Sequence, residues 1–373
     1  MGLYIGVMSG TSLDGIDVAV VDFHTSGMTL LAAETSPFED NLRKDLLKLI
    51  NTGRAHLHQL GQIDMALGYA YSHTVSQLLA KTGINADRID AIGCHGQTIY
   101  HAPDAIYPFS MQIGNGHVIA ETTGIPTITD FRQPDIILGG QGAPLVPAFH
   151  QAMFQDDEHH RVIANIGGIS NITILPAGNK QSVTGFDTGP GNVLLDQWYQ
   201  QHHDGLFDRD GQWARSGDTD QSLLKLFMSD PFFQQPIPKS TGREYFNLKW
   251  LTQKLLKLDK PLKASTIQKT LLQLTATSIS EAITQYAAHT DEIFVCGGGA
   301  HNDALMQALG DALPDMSVQT TTELGLAPDW VEACAFAWLA RQFMLSQPGN
   351  LPSVTGARKA TVLGALYSSS KAS

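Results

Sequence analysis

The sequence predicts an α/β protein of two domains. Three observations carry that expectation. The chain has 373 residues, room for two cores at about 150 residues per domain. Two units of strand, glycine turn and returning strand stand roughly half a chain apart, a weak internal repeat. Two further glycine turns each follow a short apolar strand and lead into a helical run. The segments expected are 1–150 and 151–373, with the end of the second able to pack back on the first.

Taken in order, Leu3 to Met8 reads as an apolar strand. Ser9 to Gly15 reads as a turn and Ile16 to Phe23 as the return. A strand, not a helix, follows this turn, which sets it apart from a dinucleotide fingerprint; no GxxxxGK followed by Ser or Thr occurs either. Arg43 to Ile50 and Leu60 to Leu79 carry helical periodicity. Arg161 to Ile166, the turn Gly167-Gly168-Ile169-Ser170 and Asn171 to Leu175 repeat the hairpin grammar. Turns of small residues can wrap phosphate oxygens with their N–H groups. Each hairpin alone is more ordinarily a plain β-hairpin; two such turns together weigh against that reading.

Val183 to Phe186 reads as a strand ending at Asp187-Thr188-Gly189-Pro190-Gly191-Asn192, with a helix starting near Asn192. A carboxylate at that strand end can face a cleft and take a proton, or cap the helix and steady the turn. Glu292 to Cys296 precedes Gly297-Gly298-Gly299-Ala300, and Asn302 or Asp303 can cap the helix beyond. Glycines there let a nucleobase or ribose approach the backbone, or let the helix pack close on the sheet. Thr266 to Tyr286 spaces Ile267, Leu271, Leu274, Ile279, Ala282, Ile283 and Tyr286 along one helical face. Trp330 to Leu345 is a second, strongly apolar helix; Glu332 in its first turn suits the helix dipole or points into a cleft. His202 to Pro238, rich in Asp, Gly, Gln and Pro, is expected to be a mobile excursion, and the serine-rich end after Ala365 to fray.

Composition narrows the function classes. There are 24 Lys and Arg against 36 Asp and Glu, a net charge of −12, which argues against a nucleic-acid backbone as main partner. A hydrophobic content of 43% excludes wholesale disorder. No run of about 18 apolar residues predicts a membrane span, and the opening MGLYIGVMSG lacks the basic region of a signal peptide. Cys94, Cys296 and Cys334 are too far apart for a zinc motif and form no disulfide framework. A cytosolic protein with neither nucleic-acid nor membrane partner is expected. Between Ala91 and Pro147, glycines separate His95, Gln97, Thr98, Gln112, Asn115, Asp130, Arg132 and Gln141. Small amides and one arginine suit a ligand that is rich in hydroxyls and carries an acid. A lone His95 is more ordinarily a structural residue.

Met8 to Asp17 (MSGTSLDGID), Cys94 to Thr98 (CHGQT), Thr129 to Arg132 (TDFR), GGQGAPL, NIGGISN, GFDTGPGN and CGGGAHN together resemble the anhydro-N-acetylmuramic acid kinases. The resemblance covers nearly the whole chain. Each motif alone is weak, but their order and spacing are specific. The resemblance implies the two-domain actin-like ATPase (ribonuclease H-like) fold with ATP in a central cleft. It implies magnesium as the cofactor and a homodimer. It also implies a reaction of cell-wall recycling, in which the 1,6-anhydro ring is cleaved and O6 phosphorylated, giving N-acetylmuramic acid 6-phosphate and ADP.

Residue by residue, the resemblance makes Asp187 the base that activates water. It assigns Gly10, Thr11, Ser12, Leu13, Asp14, Gly15, Ile16 and Asp17 to the first phosphate loop. Gly167, Gly168 and Ser170 form the second, and Gly297, Gly298, Gly299 and Asn302 border adenosine. Thr98, Asp130, Arg132 and Glu332 are the candidates for the sugar, with Arg132 set against either the lactyl carboxylate or the phosphates. Asp14 is assigned to magnesium through water, with turn stabilisation as the alternative. Another sugar or acetate-type kinase is the alternative enzyme; a nucleotide-dependent chaperone or filament subunit is the alternative of a different class.

Overall fold

The computed structural model of the chain describes residues 2–10, 13–25, 27–178 and 181–370. It divides into two compact units, residues 1–153 with 330–373, and residues 154–329. Both are mixtures of sheet and helix.

In the first unit, β1 (Gly2–Met8), β2 (Ile16–His24) and β3 (Gly27–Ser36) form an antiparallel meander. β4 (Ile89–Cys94) lies parallel to β1 on its other edge. A parallel neighbour needs a crossover, here built from helices Asp40–Thr52 and Leu57–Thr82. β5 (Gln97–Ala102) and β6 (Phe109–Ile113) make a separate ribbon, and β7 (Thr127–Thr129) runs parallel to β4. Alternation along β1 decides what covers each face. Leu3, Ile5 and Val7 join Leu67, Tyr71 and Val75 in one core. Gly6 faces the other way, where a Cβ would stand 1.7 Å from the Ala333 carbonyl oxygen; at Gly93 on β4 it would stand 2.0 Å from that of Phe336. The helix Val331–Met344 therefore lies directly on the sheet because these two positions carry no side chain. Burial of Phe336, Trp338 and Leu339 on that helix contributes about 1.5–3 kcal/mol each.

In the second unit, β8 (Arg161–Ile166), β9 (Ile169–Leu175) and β10 (Thr184–Pro190) repeat the antiparallel meander. β11 (Glu292–Cys296) is parallel to β8, and β12 (Ser317–Thr320) to β11. The order β10-β9-β8-β11-β12 thus has the wiring of β3-β2-β1-β4-β7. The helix Ala264–Tyr286 supplies Ile267, Leu271, Leu274, Ile279 and Ile283 to the core, in the spacing read from the sequence.

Two local expectations are corrected. Residues 202–238 are not a loose excursion: they hold the helices Gln212–Arg215 and Gln221–Met228, with Leu223, Phe227 and Phe232 buried. Asp220 caps the second helix by accepting from Leu223 N at 2.8 Å. The spacing of Leu223 and Phe227 outweighs the turn-forming composition around them. The end of the chain does not fray directly after Ala365. β13 (Ala365–Tyr367) pairs with β7, and Ser370 N donates to Glu121 Oε2 at 2.9 Å. Among the described residues no helix is long and apolar enough to cross a membrane.

Candidate active site

In the second unit the glycine turns gather at the carboxyl ends of the parallel strands β8 and β11, where α/β sheets commonly bind ligands. The carbonyl of Gly167 accepts from Asn192 N at 2.8 Å; that of Gly168 accepts from Gly191 N at 2.9 Å and Val193 N at 3.1 Å. The GPGN segment is thereby stitched to the hairpin turn, and the buried Thr275 hydroxyl holds it from below through the Pro190 and Gly191 carbonyls. With the carbonyls turned into the protein, the N–H groups of Gly167 and Gly168 make no hydrogen bond among the described residues. Free amides on successive residues of a turn are what an anion site is made of. Ser170 differs: its side chain is buried and bonds Thr188 Oγ1 at 2.7 Å, so the hydroxyl points inward.

Gly297 completes the group. Its φ is 75°, and a Cβ would meet Asn165 Oδ1 at 2.5 Å. Gly298, in contrast, has an open face: among the described residues Asn192 Nδ2 alone comes within range, at 3.7 Å. Asn302 caps the helix Asp303–Ala312 through Leu305 N at 3.1 Å. It thus has a structural task whatever else it does.

Asp187 lies within β10, which continues to Pro190 instead of ending at Phe186. Pairing with β9 persists past it because the register shifts between Asp187 and Gly189, whose φ of 145° absorbs the bulge. The carboxylate is therefore a strand residue and not a helix cap. Its Oδ2 accepts from Thr241 N at 2.9 Å and Ser240 Oγ at 3.0 Å, while no donor reaches Oδ1 among the described residues. Burial pushes its pKa up to about 6; the two hydrogen bonds and the Lys239 charge oppose the rise, and Glu244 adds to it. A half-bonded carboxylate near neutral pKa is suited to general-base work.

In the first unit, Gly10, Leu13, Asp14 and Gly15 lie in the turn after β1, whereas Ile16 and Asp17 already belong to β2; Thr11 and Ser12 lie outside the described residues. Leu13 has a φ of 55°, its N bonds Gly10 O, and its carbonyl accepts from Arg43 Nε at 3.0 Å. Asp14 is exposed, whereas Asp17 accepts from Thr35 Oγ1 at 2.6 Å and Ile16 is buried core. The predicted sugar residues are partly brought together. Arg132 donates to Gly142 O at 2.7 Å and to His95 Nε2. Burial lowers its pKa to about 10, with Glu332 and Asp135 opposing, so it stays charged at neutral pH. Glu332 is thus within electrostatic range of Arg132. Asp130 sits two residues before Arg132 at a left-handed φ of 57°, strain of the kind stored at functional sites. Desolvation raises its carboxyl pKa, against a Gln133 backbone hydrogen bond. Thr98 Oγ1, on β5, accepts from Gln112 Nε2 at 3.0 Å.

Sequence reasoning missed the segment 239–244. Besides Ser240 and Thr241 on Asp187, it carries Arg243, whose Nη2 is 2.8 Å from where a Cβ on Gly168 would stand. A cation thus lies on the proposed phosphate turn. The only signal was a Lys239 to Arg243 run, KSTGR, of small and basic residues between two aromatic stretches. Asp135 was also missed. Fully buried, it accepts from Gly142 N, Asn350 Nδ2 and Thr355 Oγ1 at 2.8, 2.6 and 2.7 Å, fixing the loop that holds Arg132.

Comparison with known proteins adds the following. The chain is 49% identical to the anhydro-N-acetylmuramic acid kinase of Pasteurella multocida over 99% of its own length and 97% of the relative's. It is 50% identical to that of Shewanella amazonensis over 98% of each. Solved structures are remote: component A of the (R)-2-hydroxyglutaryl-CoA dehydratase of Acidaminococcus fermentans covers 90% of this chain and 96% of its own at 11% identity and a TM-score of 0.47. A sequence profile described as anhydro-N-acetylmuramic acid kinase matches residues 2–369, and on that match and those identities the chain belongs to the anhydro-N-acetylmuramic acid kinase family.

Proposed function

We propose that this protein is an ATP-dependent, cytoplasmic kinase of anhydro-N-acetylmuramic acid in cell-wall recycling. It opens the 1,6-anhydro ring with water and phosphorylates O6, giving N-acetylmuramic acid 6-phosphate and ADP. The observation that carries this reading is Asp187, a buried carboxylate with one oxygen held by Ser240 and Thr241 and, among the described residues, no donor on the other. Family membership and relatives named for this activity support it. The wiring repeated in the two sheets supports an actin-like ATPase, ribonuclease H-like plan.

In the proposed reaction, Asp187 Oδ1 takes a proton from water as the water oxygen bonds to C1 of the sugar. The C1–O6 bond breaks, and O6 attacks the γ-phosphorus of ATP. The bond to the β-phosphate oxygen breaks and ADP leaves; Asp187 later returns its proton to solvent. The amides of Gly167 and Gly168, the turn Gly10 to Asp17 and Arg243 hold phosphates, Gly297 to Asn302 border adenosine, and Ser170 braces its turn from within. Thr98, Asp130, Arg132 and Glu332 orient the sugar. Most of the catalytic gain comes from holding water, sugar and phosphate in line.

Among the described residues no cluster of three His, Cys, Asp or Glu could hold a metal. An exposed Asp14 with phosphate and water oxygens is nevertheless a donor set that fits magnesium, which takes few protein ligands. When bound, magnesium would neutralise the phosphate charge. A homodimer is part of the proposal, tested by sedimentation. The function is tested by mass spectrometry after incubation with ATP, magnesium and a panel of anhydro-N-acetylmuramic acid, glucose, N-acetylglucosamine and acetate. Gain of one phosphoryl group and one water by the anhydro sugar alone is expected. Phosphorylation of another acceptor, or ATP-driven polymerisation without transfer, would replace this reading.

A further inference from the structure

The proposed sugar site contains a histidine to which the reaction gives no part. His95 follows β4 and is 4% exposed, with its ring 4.7 Å from that of Phe336. Its backbone N donates to Val7 O at 3.0 Å, so its place is set by the sheet itself. Two donors of one guanidinium converge on it: Arg132 Nε at 3.1 Å and Nη2 at 2.9 Å both reach His95 Nε2.

Arginine has no acceptor, so Nε2 must present its lone pair, and the ring proton must sit on Nδ1. The ring is consequently neutral. Burial, then the adjacent Arg132 charge, hold its pKa well below the usual histidine value, with the Gly96 backbone opposing. Arg132 has five N–H donors. His95 takes two and Gly142 O a third. Among the described residues, one N–H on Nη1 and one on Nη2 are left to meet a ligand.

A neutral acceptor has a consequence that a carboxylate would not. An aspartate at this place would fix the guanidinium equally well but cancel its charge. The imidazole fixes the guanidinium without adding a third negative charge to those of Glu332 and Asp135, and so leaves more of the cation's charge to act on an incoming anion. Resting on the reaction above only for the identity of the ligand, we propose that His95 is a positioning residue that aims Arg132 at the lactyl carboxylate of the sugar. It touches neither the sugar nor the reacting atoms.

The test compares anhydro-N-acetylmuramic acid with 1,6-anhydro-N-acetylglucosamine, the same ring without the carboxylate. His95→Phe keeps the ring contact with Phe336 and removes the acceptor. It should raise KM for the carboxylate sugar about tenfold or more, the scale of a lost hydrogen bond to a charged group. KM for ATP and turnover of the carboxylate-free sugar should stay within about twofold, because neither uses the aimed charge. His95→Gln, whose amide oxygen can take the place of Nε2, should recover most of the loss. Nitrogen NMR of the ring in the unliganded protein should show Nδ1 protonated and Nε2 accepting, and Arg132→Lys should shift the Nε2 resonance. Equal losses with both sugars, no loss with either, or a proton on Nε2 would overturn the proposal. Should His95→Phe not fold, the His95→Gln kinetics and the NMR measurement decide it. Should the natural chain turn over neither sugar, the reaction proposed above fails, while the NMR measurement still tests the pairing.

Discussion

Asp187 carries the account at the scale of single residues. Asp187→Asn is expected to lower turnover about a hundredfold or more, the range for a lost general base, while ATP still binds. Near-normal product formation by that variant would remove the base assignment. The acid limb of kcat/KM should lie near the Asp187 pKa of about 6, since only the carboxylate can take the proton. The same shift has a stability consequence of defined sign. The folded state holds this proton more tightly than the unfolded chain, so the stability Asp187 contributes is complete below the ordinary carboxyl pKa. It is lost as pH rises through about 6. Asp187→Asn should therefore gain stability relative to the natural chain between pH 4 and pH 8, by up to about 3 kcal/mol, read from urea unfolding at the two pH values. That a carboxylate stands beside the glycine turn at position 187 was legible in the sequence. Its partners were not, because Ser240 and Thr241 lie more than fifty residues away and reach it only through the fold.

Elements were most legible where the apolar period was long. The helix Ala264–Tyr286 and the apolar run of β1 follow from spacing alone. The ribbon of β5 and β6 did not, because its strands are short and mix polar with aromatic residues. Nor did the extension of β10 past Asp187, since the bulge at Gly189 depends on pairing with β9. Glycine placement within elements gives a contrasting pair of predictions. Gly6→Ala should cost about 3 kcal/mol or more, because the new methyl falls on the Ala333 carbonyl and must displace the helix above it. Gly310→Ala, in an open helical position with nothing within 4 Å among the described residues, should gain about 0.5–1 kcal/mol. Equal effects in urea unfolding would contradict the packing described. Asp135→Ala should cost at least about 3 kcal/mol. It leaves Gly142 N, Asn350 and Thr355 without their shared acceptor. A rise in sugar KM should accompany the loss, since the Gly142 carbonyl holds Arg132.

Across the whole molecule, two hairpins far apart in the chain were enough to suggest a duplicated sheet plan. The shared strand order of the two units agrees with that reading. Composition left one tension: a net charge of −12 and a proposed pair of anionic substrates. Backbone amides at Gly167 and Gly168, with Arg132 and Arg243, answer it locally without altering the net charge. The central claim is that ring opening by water and phosphoryl transfer are one reaction. Its most direct test is to run a short incubation in heavy-oxygen water, with anomeric exchange measured in parallel, and locate the label by mass spectrometry. The account predicts one labelled oxygen at C1 of the sugar and none in the transferred phosphate; label in the phosphate, or phosphorylated product with an unlabelled C1, would contradict it.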